Sequence, residues 1–129
     1  MDHNLQDAMP FANTLGVKII SAQKNEVVGE LTVRKEICTT GDTLHGGAIM
    51  AFADMVGGIG AFLVLPDGAS GTTTIESKTN FLSGPPIGTV LTATARPVKT
   101  GRRLSIWQTD IRDAAGKAVA LVTQTQLVL

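Results

Sequence analysis

Apolar residues recur along this chain with two different periods. Between Gly46 and Pro66 they crowd into one run, GGAIMAFADMVGGIGAFLVLP, whose single charged side chain is Asp54. Within it Ile49, Phe52, Ala53, Val56, Ile59, Ala61 and Leu63 keep helical spacing over a length that no ordinary strand reaches. The pattern predicts one long helix from about Gly47 to Val64. Gly57, Gly58 and Gly60 are poor helix formers. Their presence predicts close approach of this helix to a sheet or to a partner helix. After Pro66-Asp67-Gly68 the period shortens to two, and 71–82, 89–98, 103–112 and 118–128 read as strands separated by Gly- and Pro-containing turns. Upstream, 17–22 and 26–34 read as strands around the polar turn Gln23-Lys24-Asn25. Residues 3–14 carry a weak helical pattern in Leu5, Ala8 and Met9, which Pro10 and then Gly16 are expected to break. A loop rich in Thr, Gly and Asp fills 35–44.

The predicted order is therefore a short helix, two strands, one long helix and four strands. This is an α+β chain in which one helix covers one face of a six-stranded, mostly antiparallel sheet. The last three strands, with their short connections, read as an antiparallel meander. Such a sheet leaves an edge strand open. Pairing that edge with a second copy is a natural remedy, and a two-fold dimer is the commonest oligomer.

Composition narrows the picture. At 129 residues the chain reads as a single domain, 1–129. Apolar residues make up 43% and charged residues 17%, which is globular and on the apolar side. Eleven basic residues balance eleven acidic ones, so the basic excess of a nucleic-acid binder is missing. The low charge and positive mean hydropathy fit a surface partly covered by another subunit. Cys38 is the only cysteine, which excludes an internal disulfide and suits a reducing cytoplasm. The first ten residues have no basic stretch followed by an apolar one, so no signal peptide is expected. The run from Gly46 to Pro66 has the length of a membrane span. However, Asp54 at its middle would cost about 2.5–3.5 kcal/mol on insertion, and no Lys or Arg flanks it closely. A soluble helix is the better reading, and no membrane partner is expected.

Asp54 is the chemical focus. A carboxylate amid apolar neighbours is expensive to bury unless it is paired, protonated or used. His45-Gly46-Gly47 opens the same helix. This His-Gly-Gly, six residues (AIMAFA) and then an acid, on an apolar helix in an α+β chain, resembles the signature of the hotdog-fold acyl-CoA thioesterases of the phenylacetate-pathway and hydroxybenzoyl-CoA types. The resemblance covers nearly the whole chain in length and element order, and Asp rather than Glu resembles the phenylacetate branch. It implies a sheet wrapped around one central helix and hydrolysis of an acyl-CoA to a carboxylic acid and free CoA. It implies no cofactor, since CoA is part of the substrate, and a homodimer that pairs further into a dimer of dimers.

The resemblance also assigns roles. The Gly46 N–H would polarise the thioester carbonyl, as the unpaired amides and positive dipole end of a helix N-terminus allow. Asp54 would attack the carbonyl or activate a water. Thr74 would orient that water. Relatives often carry Asn or Gln at the position of Thr39 and Gly at the position of Asp42, so this chain departs from them at both. Lys99, Arg102 and Arg103 lie in a turn that contacts CoA phosphates in relatives, and guanidinium groups suit such anions. Glycine at 46 also permits close approach of the acyl group to the backbone, and Gly47 beside it is counted among the substrate-binding residues. His45 would contact substrate or the partner subunit, or serve structurally at the helix start.

One inference needs no relative. Asp54 lies eight residues after Gly46, so roughly 12 Å further along one helix. Both cannot reach one carbonyl from the same helix, because reacting atoms must come within about 3–3.5 Å. Two antiparallel copies, with Gly46 of one facing Asp54 of the other, would solve this. Other chemistries find little footing. His3 and His45 with one Cys make no zinc set. There is no G-x-S-x-G elbow and no Gly-rich nucleotide loop. Cys38 reads as a small buried residue rather than a nucleophile, and Phe52, Met50 and Met55 read as core or acyl-pocket lining. Three rival readings stay open: a non-catalytic acyl-CoA sensor, a hotdog dehydratase acting on a hydroxyacyl thioester, and a structural dimer without catalysis.

Overall fold

The computed structural model describes residues 4–129; His3, the first residue of the predicted N-terminal helical stretch, lies outside the described residues. A 3₁₀ turn at Leu5–Ala8 leads into helix α1 (Pro10–Leu15), strands β1 (Lys18–Gln23) and β2 (Glu26–Thr32), and a second 3₁₀ turn at Lys35–Ile37. Helix α2 (Gly46–Leu63) follows, then β3 (Thr72–Phe81), β4 (Val90–Thr100), β5 (Leu104–Asp113) and β6 (Ala118–Val128). The strands form one sheet in the order β1-β2-β4-β5-β6-β3. Every pairing is antiparallel. β4, β5 and β6 form the predicted meander. The chain leaves α2, crosses to the far side and adds β3 as an edge strand beside β6.

Pro10 is a correction. It begins α1 rather than ending a helix, because the first helical position needs no N–H donor and suits the fixed φ of proline. Gly16 then ends α1 at φ 93°, a conformation glycine adopts freely. β2 stops at Thr32, short of the predicted 34. Arg34 instead donates to the carbonyls of Leu15 (2.5 Å) and Thr14 (2.6 Å), closing the open end of α1.

The core lies between α2 and the sheet. Ala48, Ile49, Phe52, Ala53, Val56 and Ala61 of the helix are buried against Leu91, Ala93, Trp107, Ile111 and Val122 of the strands. The helical glycines now have a reason. A Cβ on Gly60 would lie 2.6 Å from the Trp107 ring, and one on Gly57 would collide with the Gln124 amide. Both positions let α2 lie close on β5 and β6. α2 is long and apolar enough to cross a membrane by length and composition. That apolarity is used in covering the sheet, against which half the helix is buried.

Candidate active site

Asp54 sits on the face of α2 turned away from the core, so its carboxylate is exposed in this chain rather than buried. Phe52, Ala53, Val56 and Gly57 take the sheet side of the helix, whereas Asp54 points outward. Two side chains hold it. Thr74 Oγ1 donates to Asp54 Oδ1 at 2.6 Å, and Gln124 Nε2 donates to the same oxygen at 3.3 Å. Thr74 lies near the start of β3, just before a bulge between Thr74 and Glu76. Behind Thr74, Gln126 Nε2 donates to its Oγ1 at 2.5 Å, and Thr72 Oγ1 donates to Gln126 Oε1 at 3.0 Å. The single proton of the Thr74 hydroxyl is thus committed to Asp54.

Gln124 and Gln126 are functional candidates that reading the sequence missed. Both are buried, at 0% and 1% exposure. Their signal was present: two amides at i and i+2 sit on a strand face whose other residues are apolar, where each must find a polar partner.

The start of α2 forms a second group. His45 is the N-cap, and its Nδ1 accepts from Gly47 N–H at 2.8 Å. This satisfies one of the amides a helix start leaves open. The Gly46 amide finds no acceptor among the described residues. A Cβ on Gly46 would lie 3.1 Å from the ring of Phe81, at the end of β3. Asp54 and Gly46 are therefore tied to opposite ends of the same strand, and they do not share a cleft. Thr39 is exposed in the loop before α2, where its N–H donates to the Thr43 carbonyl at 2.8 Å. Asp42 adopts φ 58°, in the left-handed region, and pairs with Lys35 at 3.2 Å. That backbone explains why glycine suits the position and why Asp is tolerated there. Cys38 is half-buried and donates its thiol to the Arg34 carbonyl at 3.3 Å.

A cleft of about 540 Å³ opens beside Asp54, lined by Met55, Gly58 and Phe62 of α2, Thr73 of β3 and Met9 of the N-terminal segment. Met55 thus lines the cleft, Phe52 is wholly core at 0% exposure, and Met50 faces outward. Lys99, Arg102 and Arg103 are exposed around the β4–β5 turn. None of the three forms an ion pair among the described residues. Leu104 lies opposite Leu127, and Leu127 opposite Thr73. The basic turn therefore stands at the Thr72–Thr74 end of the sheet, about 10 Å, or two strand spacings, away. No group of three or more His, Cys, Asp or Glu could hold a metal ion among the described residues.

Residues 41–120 match the family described as the thioesterase superfamily. The 1,4-dihydroxy-2-naphthoyl-CoA hydrolase of Listeria monocytogenes is 29% identical, over 88% of this chain and 90% of its own length. Acyl-coenzyme A thioesterase 13 of Pongo abelii is 29% identical, over 88% of this chain and 81% of its own length. A crystal structure of a thioesterase from Haemophilus influenzae superposes with a TM-score of 0.89 at 26% identity, covering 98% of this chain and 88% of that one. One long helix on a six-stranded antiparallel sheet is the hotdog architecture of these relatives.

Proposed function

The chain belongs to the thioesterase superfamily and is an acyl-CoA thioesterase, and we propose that Asp54 performs the hydrolysis at a site completed by a second copy. The observation that carries this reading is the Thr74–Asp54 bond at 2.6 Å. It fixes a carboxylate at the mouth of an apolar cleft that suits an acyl group. The acyl carbon gains an oxygen either from a water that gives its proton to Asp54, or from Asp54 itself, in which case the mixed anhydride left when sulfur departs is hydrolysed by a water that releases the acid and restores the carboxylate. The carbon–sulfur bond then breaks, and the sulfur leaves with a proton as free CoA. Negative charge that develops on the carbonyl oxygen needs a donor, and the Gly46 amide is open.

The second copy follows from the strand ends. β3 is a ten-residue edge with one side unpaired, whereas the other edge, β1, has six residues. Antiparallel self-pairing of β3 centred on Lys78, with the bulge between Thr74 and Glu76 taking up one residue, sets Thr74 opposite the partner's Phe81. Since Phe81 covers Gly46 in its own chain, this pairing delivers the partner's Gly46 to the neighbourhood of Asp54. Each dimer then has two composite sites. Lys99, Arg102 and Arg103 supply positive charge for the CoA phosphates. His45 holds the helix start through Gly47, and so sets the direction in which the Gly46 amide points. A free thiol at Cys38 suits a cytoplasmic setting.

Thiol release from a panel of aliphatic and aromatic acyl-CoAs, run beside Asp54→Asn, tests the reading. Turnover is expected for wild type and its loss for the variant. Wild-type rates in Asp54→Asn would remove Asp54 from the chemistry.

A further inference from the structure

We propose that Gln124 and Gln126 are positioning residues that lock Oδ1 of Asp54 and leave Oδ2 as the reacting oxygen. The inference rests on the catalytic reading of Asp54. Both donors to this carboxylate among the described residues, Thr74 Oγ1 and Gln124 Nε2, converge on Oδ1. With one oxygen held twice, the carboxylate cannot rotate freely, and Oδ2 is presented to the cleft.

The hydrogen bonds run in one direction. Thr72 Oγ1 donates to Gln126 Oε1 at 3.0 Å and, as a shared bond, to the Leu127 carbonyl at 3.0 Å. That contact turns the Gln126 amide so that its NH₂ faces Thr74, to which it donates at 2.5 Å. Thr74 thereby has an N–H filling an acceptor position on its oxygen, and its own proton points to Asp54. The chain Thr72–Gln126–Thr74–Asp54 is a relay of orientation. No proton needs to travel along it.

Gln124 is held differently. Its Oε1 is buried without a hydrogen-bond partner among the described residues. A buried orphan acceptor is unfavourable and calls for a reason. Turning the amide over would set that oxygen against the carboxylate and remove the donor. The arrangement keeps the NH₂ on Asp54 at the expense of an unsatisfied carbonyl. Gly57, three residues after Asp54 on the helix, makes room for this amide, since a Cβ there would strike it.

A purely structural role and a positioning role predict different results. Gln124→Met and Gln126→Met keep length and remove the amides. Positioning predicts that kcat falls about tenfold or more, as misplacing a reacting group does, while KM stays within about twofold. The melting temperature of Gln124→Met should hold or rise, because the orphan acceptor is gone. Gln126 acts through Thr74, so adding Gln126→Met to Thr74→Val should change kcat by less than about twofold. Wild-type kcat in folded Gln124→Met and Gln126→Met would overturn the proposal, as would a full further loss in the double variant. Should Gln126→Met not fold, Thr72→Val decides in its place: a lowered kcat at unchanged melting temperature supports the relay, and wild-type kcat overturns it. Asp54→Asn run alongside separates the two levels. If it is inactive while the glutamine variants keep full activity, only this inference fails; if it is active, both fail.

Discussion

Gly60 lies so close under Trp107 that a single added Cβ would come within 2.6 Å of the indole ring. The ring is fully buried, and its Nε1 donates to Ser105 Oγ at 3.0 Å, so it has no freedom to retreat. Gly60→Ala is therefore expected to lower stability by about 1–3 kcal/mol, as overpacking does, despite the better helix propensity of alanine. Gly58, two residues earlier, has nothing within 4 Å of an added Cβ. Gly58→Ala is expected to raise stability by up to about 1 kcal/mol from propensity alone. Urea unfolding of the two variants reads the opposite signs.

Asp54→Asn and Asp54→Ala should reduce kcat by about 100-fold or more, the range of an essential acid–base group. Because the side chain is exposed, the folded state should survive both changes. Circular dichroism beside steady-state kinetics separates lost chemistry from lost fold.

A site shared between copies has a mixing signature. Gly46→Pro removes the backbone donor while proline remains acceptable at the first helical position. Asp54→Asn and Gly46→Pro dimers should each be inactive. Unfolded together and refolded as a mixture, they should recover about one quarter of wild-type activity, since half the dimers are mixed and one of their two sites is intact. No recovery would place both groups in one chain's site.

His45 closes the helix start through its Nδ1. His45→Ala should lower stability by about 1 kcal/mol, the usual loss of a capping side chain, and His45→Asn should restore most of it. Chemical denaturation measures both.

The basic turn should be felt only by substrates that carry phosphates. Arg102→Glu with Arg103→Glu is expected to raise KM for acyl-CoA by about tenfold at low salt, and less at high salt. A short thioester lacking the nucleotide should show no such change. Equal effects on both substrates would remove the turn from CoA binding.

Much of this was legible locally. The long helix, six strands and meander follow from apolar period and turn residues, which act over a few positions. Pro10 misled because the same ring that breaks a helix interior suits its first turn. The His-Gly-Gly and the acid eight residues beyond the first glycine are a linear pattern, so their resemblance to thioesterases was visible. Gln124 and Gln126 were not singled out, because alternation shows that they share a face of β6 but only the packing of β3 and α2 shows that Thr74 and Asp54 lie above it.

The amino-acid order by itself determined the elements, the placement of a carboxylate and a glycine amide too far apart on one helix to act together, and the thioesterase signature. Only the tertiary structure decided that β3 lies beyond β6 at the sheet edge, that Asp54 faces outward, and that two buried amides converge on its neighbourhood. The reason is range. Helix and strand periods are set by neighbours along the chain, whereas strand order and the partners of a buried polar group depend on contacts between residues dozens of positions apart. Thr74 and Gln126 meet across 52 positions.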